Sequence, residues 1–238
     1  MSSHRGAHPD DDALFAPAER PRLRAAVRDL SWLRSRGYGD NGSLKLVGDR
    51  YRLHRRQRNA VARSACSDTA RARRLLGRRP LDAVRVLHVD GFNVLITLEG
   101  ALGGAYLFRG RDGAYRDVAP VQGTFRLVEE TGPALRAVHT AVRAAGLRRV
   151  VWWLDAHVSN VGRLVEQLRA AAGASLDWAV RVRDDVDAVL RDTSAPIATS
   201  DSALLDEARH WCVLEPAVLA RTGTAANVCD LRPDGPGR

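Results

Sequence analysis

Three aspartates in this 238-residue chain each stand at or just beyond the end of a short apolar run: Val89-Asp90-Gly91-Phe92-Asn93, Trp153-Leu154-Asp155-Ala156-His157 and Ala198-Thr199-Ser200-Asp201. Taken singly, each reads as a turn former or a helix cap. Together they suggest chemistry. Three carboxylates gathered at one place repel one another unless protons or a cation neutralise them. Hard oxygen donors suit Mg²⁺ or Mn²⁺. Such an ion lowers the pKa of a bound water and polarises a phosphodiester for attack. No cluster of His and Cys competes. Cys66, Cys212 and Cys229 are odd in number and far apart, which fits a reducing compartment and neither a zinc pattern nor a redox pair.

The elements that must position these acids can be read from the apolar runs. Val84–Val89 is short and β-branched, as suits a strand buried on both faces of a parallel sheet. Asp90 then falls at the strand's carboxyl end, the edge where open α/β sheets bind ligands. Gly91 allows a close backbone approach, and Asn93 could cap a helix from Val94 to Leu102. Further strands are expected at Val150–Leu154, Trp178–Val182, Pro196–Thr199 and Trp211–Leu214. Helices are expected around Leu135–Ala145, at Val161–Leu168 closed by Gly173, and at Ser202–Arg209 and Pro216–Arg221. Ser159 or Asn160 would cap the second of these. Tyr106–Arg109 and Ala114–Val118 flank Gly110-Arg111-Asp112-Gly113, a hairpin signal. Alternating strands and helices imply an α/β fold, a doubly wound and mainly parallel sheet. If its order is 3-2-1-4-5, Asp90, Asp155 and Asp201 emerge side by side.

The first third differs in kind. Residues 1–79 hold 19 of the 37 Lys and Arg but 8 of the 28 Asp and Glu, so they carry +11 while the remainder carries −2. Almost all of this is arginine. Leu23, Ala26, Val27, Leu30 and Leu33 mark one helix. Asp40-Asn41-Gly42-Ser43 reads as a turn before a short helix at Leu44–Val47. Leu53, Gln57, Ala60, Val61 and Ala65 form the inner face of the next helix, with Arg52, Arg55, Arg56 and Arg63 outside. Ser67 or Asp68 would cap a last helix ended by Gly77. The expected organisation is a loose tail (1–16), a basic helical domain (17–79), an α/β domain (80–231) and a second tail (232–238). A basic surface points to phosphate contact; it also fits a solvated face docking on its own chain. No run approaches a membrane span, and the N-terminus lacks a signal-peptide core, so a cytoplasmic protein without a membrane partner is expected.

The three acidic stations resemble those of PIN and NYN-type nuclease domains, relatives of the FLAP fold that cut RNA with Mg²⁺ or Mn²⁺. More specifically, Asp29-Leu30-Ser31-Trp32-Leu33, Arg36-Gly37-Tyr38, Leu46-Val47-Gly48-Asp49-Arg50-Tyr51, Asp112-Gly113-Ala114-Tyr115-Arg116-Asp117 and Val158-Ser159-Asn160 are similar to the prokaryotic domain of unknown function 434 family, over about residues 18–222. That likeness brings no activity. The nuclease likeness implies metal binding by Asp90, Asp155 and Asp201, with Asn93 orienting Asp90 or a water. His157 could contact phosphate or act in proton transfer, or be a loop histidine without a role. Ser159 and Asn160 could help hold substrate, though capping explains Ser159 equally well. The basic helical domain, through Arg52, Arg55, Arg56 and Arg63, would hold the RNA backbone. RNA is the expected partner ahead of DNA, and self-association stays open. The pattern departs from those nucleases in two ways. The usual helix-borne fourth acid has no clear counterpart among Glu99, Glu129, Glu130 and Asp206, and the position three residues after Asp201 is Leu204. A nonenzymatic RNA- or ribosome-associated module on the same fold is therefore the alternative. His88 is expected as a hydrogen-bonded core residue. Trp152, Trp153, Trp178 and Trp211 are expected in the core rather than as a base-stacking platform.

Overall fold

The computed structural model describes residues 4–118, 125–172, 176–223 and 225–233. Gly173, expected to close a helix, and residues 234–238 of the expected tail lie outside the described residues. The N-terminal region is helical: α1 (Asp11–Leu14), α2 (Arg20–Ser35), α3 (Asp40–Arg50), α4 (Arg55–Ser64) and α5 (Asp68–Gly77). The α/β region follows as β1 (Val86–Asp90), α6 (Gly91–Leu102), β2 (Leu107–Arg109), β3 (Tyr115–Arg116), α7 (Thr131–Ala144), β4 (Arg149–Asp155), α8 (Val161–Ala171), β5 (Asp177–Arg183), α9 (Val186–Asp192), β6 (Ile197–Ala198), α10 (Ser202–Glu207), β7 (Trp211–Cys212), α11 (Glu215–Leu219) and β8 (Val228–Asp230).

Five of these strands form a parallel sheet in the order β5-β4-β1-β6-β7, with β1 at its centre. Leu87 and Val89 of β1 and Val150, Trp152 and Leu154 of β4 are buried, and they share a core with Leu95 and Leu98 of α6 and Leu135 and Val138 of α7. Helix α6 is apolar on most sides because it is packed on the sheet, α7 and α11. Gly91 lets it start against β4, since a Cβ there would stand 2.5 Å from Leu154 Cδ2 and 2.8 Å from the Trp153 carbonyl.

The hairpin forms, with β2 and β3 antiparallel and Gly113 at φ 85° in the connection. It does not sit apart as a ribbon, because β8 pairs parallel with β2 to make a second sheet. Phe108, Val118, Cys229 and Leu231 then complete the core of the helical region, beside Phe15, Leu23, Val27, Leu30 and Val61. The helical region thus draws its core from three parts of the chain.

Several local expectations change. Asp40–Ser43 is the first turn of α3, because Gly39 is extended at its start and Ser43 and Val47 are buried on one face. Residues 4–16 are docked rather than loose. Phe15 is buried, and Arg56 clasps the buried Asp11 through Nε at 2.7 Å and Nη2 at 2.8 Å. Helix α6 starts at Gly91, so Asn93 lies inside it and is no cap. Ser67 does cap α5, its Oγ accepting from the Ala70 N–H. Helix α9 was not anticipated. His88 is half-buried, but its Nδ1 has no hydrogen-bond partner, and burial lowers its pKa. Trp152 and Trp211 are core residues, whereas Trp153 is only partly buried.

Candidate functional site

The carboxyl edge of the sheet opens into a cleft of about 370 Å³. Asp90, Asp155 and Asp201 all line it, as does Asn93. Asp90 ends β1 at the floor and is half-buried. The Thr199 hydroxyl donates to its Oδ2 at 2.7 Å. Asp155 ends β4, and its Oδ1 accepts from the His157 N–H at 2.8 Å. Asp201 caps α10, its Oδ1 accepting from the N–H groups of Ala203 (2.7 Å) and Leu204 (3.0 Å).

Two devices hold the loop that carries Asp201. Asn93 reaches across from α6, its Oδ1 accepting from the Ser200 N–H at 2.8 Å and the Ser200 hydroxyl at 3.0 Å. On the other side lies a buried ion triad. Asp112 is held between Arg74, at 2.6 Å, and Arg116, at 2.7 Å. Arg116 Nε also donates to the Ser200 carbonyl, and Arg74 Nη2 to the Ser202 carbonyl. The carbonyls flanking Asp201 are therefore both fixed. Burial opposes the charge on Asp112, but Arg116 and Arg74 outweigh it and hold its carboxyl down to about 2.

Sequence reasoning missed several residues of the cleft. Asp184 and Asp187 follow β5 and line it, and Asp117 does so from the far side of the hairpin. Asp185 also lines it but is paired with Arg183 at 2.8 Å. The signal was present in Asp184-Asp185-Val186-Asp187, four residues with three acids directly after a strand. What hid it was α9, which packs against both β1 and β4 and sets exposed Asp187 in the cleft lining. Burial raises the Asp90 carboxyl to about 7; Asp187 and Asp201 push it further up, against the Thr199 hydroxyl. Arg63 stands on the rim, donating to the Asp117 carbonyl at 3.0 Å and its carboxylate at 3.1 Å.

The donor chemistry fits a hard divalent cation: oxygen ligands only, one of them raised to about 7 by burial first and by neighbouring carboxylates after it. Among the described residues, however, no three such side chains stand together as a ready-made metal group. Register explains part of the spread. Asp90 pairs with Trp153, so Asp155 lies two residues farther along β4, about 6.6 Å at the usual rise.

The other expected site residues lie elsewhere. His157, Ser159 and Asn160 are exposed and do not line the cleft. Asn160 has φ 65° and donates to the Phe125 carbonyl instead of capping α8. Arg52 and Arg55 are exposed on the helical region, whereas Arg56 is tied to Asp11. No candidate for a fourth acid reaches the cleft. Glu99 is fully buried and bonded by Arg5 and Thr131, and burial raises its carboxyl to about 7. Glu129 and Glu130 meet His4, and Asp206 meets Arg73 and Arg74.

A family model described as "Domain of unknown function (DUF5616)" matches residues 83–217, and one described as "Protein of unknown function (DUF434)" matches residues 22–76. The boundary between them falls where the helical region gives way to β1, so the second resemblance covers less of the chain than the sequence motifs suggested. An uncharacterised protein of Methanocaldococcus jannaschii is 28% identical over 186 residues, which cover 77% of this chain and 88% of the relative. No solved structure matches.

Proposed function

This chain belongs to the DUF5616 family, and we propose that it is a metal-dependent ribonuclease with a PIN- or NYN-like α/β region. The observation that carries the reading is the cleft. Asp90, Asp155 and Asp201 line it at or just beyond the ends of three neighbouring strands, with Asp187 in the same lining and the Asp90 carboxyl raised to about 7 by burial and like charge. Mg²⁺ or Mn²⁺ held by these carboxylates would supply an activated water and a polarised phosphate. The chain's own residues do the rest. Without the cation, burial and neighbouring carboxylates raise the Asp90 carboxyl to about 7, and a bound cation would favour its ionised form. Asn93 and the Arg74–Asp112–Arg116 triad fix where Asp201 stands. Arg63, on the rim, is placed to meet a phosphate that a purely acidic cleft would repel. The basic helical region gives affinity for the RNA backbone rather than chemistry. No described helix is long and apolar enough to cross a membrane, which is compatible with work on RNA in the cytoplasm.

The second reading, an RNA- or ribosome-associated module without catalysis, is favoured by one observation. Asp155 and Asp201 each bond a local turn or helix end through one oxygen, and among the described residues no metal group is preassembled. Cleavage of mixed labelled RNAs with Mn²⁺, with and without a chelator, separates the two. The ribonuclease reading expects metal-dependent cleavage by the wild type, and loss of it in Asp201→Asn with RNA binding kept. RNA binding without cleavage by the wild type selects the module. Equal cleavage by Asp201→Asn makes the acids mere strand-end turn residues.

A further inference from the structure

The most exposed aromatic side chains lie on the helical region, away from the acids. Trp32 is 49% exposed and Leu46 61% exposed. Both line a groove of about 870 Å³ between α2, α3 and α5. Four arginines line it as well: Arg28, Arg50, Arg71 and Arg111. The two acids in the groove are engaged. Asp29 accepts from the Tyr51 hydroxyl at 2.7 Å and faces Arg50 at 3.6 Å, and Asp68 is paired with Arg111. The lining is therefore positive. Arg36 lies over one face of the Trp32 ring, 3.5 Å from its centroid, and adds another charge beside it.

We propose that this groove binds an unpaired stretch of RNA, with a base stacked at Trp32 and the flanking phosphates met by Arg28, Arg50 and Arg71. Charge complementarity selects the occupant. An aromatic ring among guanidinium groups offers a π-face to a base and donors to its phosphates. In a paired A-form helix the bases are stacked on one another and unavailable, so the preference is for single strands. An apolar protein partner would desolvate four arginines with only Asp29 and Asp68 to balance them. The inference rests on RNA as the substrate class, and names the strand form and the face that holds it; it does not rest on cleavage.

The test is fluorescence anisotropy of a labelled 12-nucleotide single-stranded RNA and of a duplex of the same length, in chelator so that nothing is cut. The wild type is expected to prefer the single strand. Trp32→Ala should weaken that binding about tenfold, Trp32→Phe should retain most of it, and an Arg28/Arg50/Arg71→Ala variant should lower the salt slope by about 2. Thermal melts check that these surface variants stay folded. Asp201→Asn, which removes cleavage under the ribonuclease reading, should bind as the wild type does, so the two ideas can fail separately. The proposal is overturned if the wild type binds no single-stranded RNA, or if Trp32→Ala and the triple variant bind it unchanged. It is also overturned if Trp32→Ala abolishes binding of an acidic peptide while RNA binding stays intact, since the groove would then be a protein-docking face.

Discussion

Asp90→Asn should stabilise the metal-free protein, and by an amount that depends on pH in a defined way. In the folded protein the Asp90 carboxyl is raised from 3.8 to about 7, by burial first and by Asp187 and Asp201 after it. The unfolded chain therefore releases this proton first. Between about pH 4 and 7 the folded state binds more protons at this site, so wild-type stability falls as pH rises, and it levels off once the folded carboxyl ionises as well. A shift of about 3 pH units corresponds to roughly 4 kcal/mol. Asparagine keeps the acceptor for the Thr199 hydroxyl and carries no charge. Urea unfolding in chelator should thus give nearly equal stabilities at pH 4, and a variant more stable than wild type by up to about 4 kcal/mol at pH 8. Glu99 and Glu215 are also raised to about 7, but they are common to both proteins and cancel in the difference. Mn²⁺ should stabilise the wild type and leave Asp90→Asn almost unchanged. Two stability curves that run parallel from pH 4 to 8 would refute the claim that burial and neighbouring carboxylates raise the Asp90 carboxyl.

Other residues give further tests. Asp112→Asn leaves buried Arg116 without its counter-charge and Arg74 with Asp206 alone, so about 3 kcal/mol of stability should be lost in denaturant melts at neutral pH. In the wild type, the Asp112 carboxyl is depressed to about 2, so its contribution is present above about pH 4 and disappears as pH falls through 2. The helical arginines should divide by role. Arg52→Ala and Arg55→Ala should keep the melting temperature and reduce the salt slope of RNA binding, while Arg56→Ala should destabilise the fold by about 3 kcal/mol by stranding buried Asp11.

The sequence made the main layers legible because period and punctuation agreed. Val84–Val89 and Val150–Leu154 are short β-branched or aromatic runs, and both became strands of the parallel sheet. The inner face of α4 and its two ends was readable from Leu53, Gln57, Ala60, Val61 and Ala65, all of them buried. What stayed hidden depended on distant partners. Nothing local to Val228–Asp230 shows that it pairs with β2, and nothing local to Asp11 shows that Arg56 will neutralise it. Asn93 looked like a cap because it follows a strand end by three residues; its real task is to hold Ser200, more than a hundred residues away. The strand-end aspartates were found because each stands beside a run that had to be a strand. Asp187 was passed over because α9 is only seven residues long and its period is too brief to read.

The most direct measurement of the central claim is anomalous diffraction from crystals soaked in Mn²⁺. The account predicts a peak in the cleft bounded by Asp90, Asp155 and Asp201, present in the wild type and lost in Asp201→Asn. A wild-type crystal saturated with Mn²⁺ that shows no peak there, or shows one only at acids outside the cleft, contradicts it.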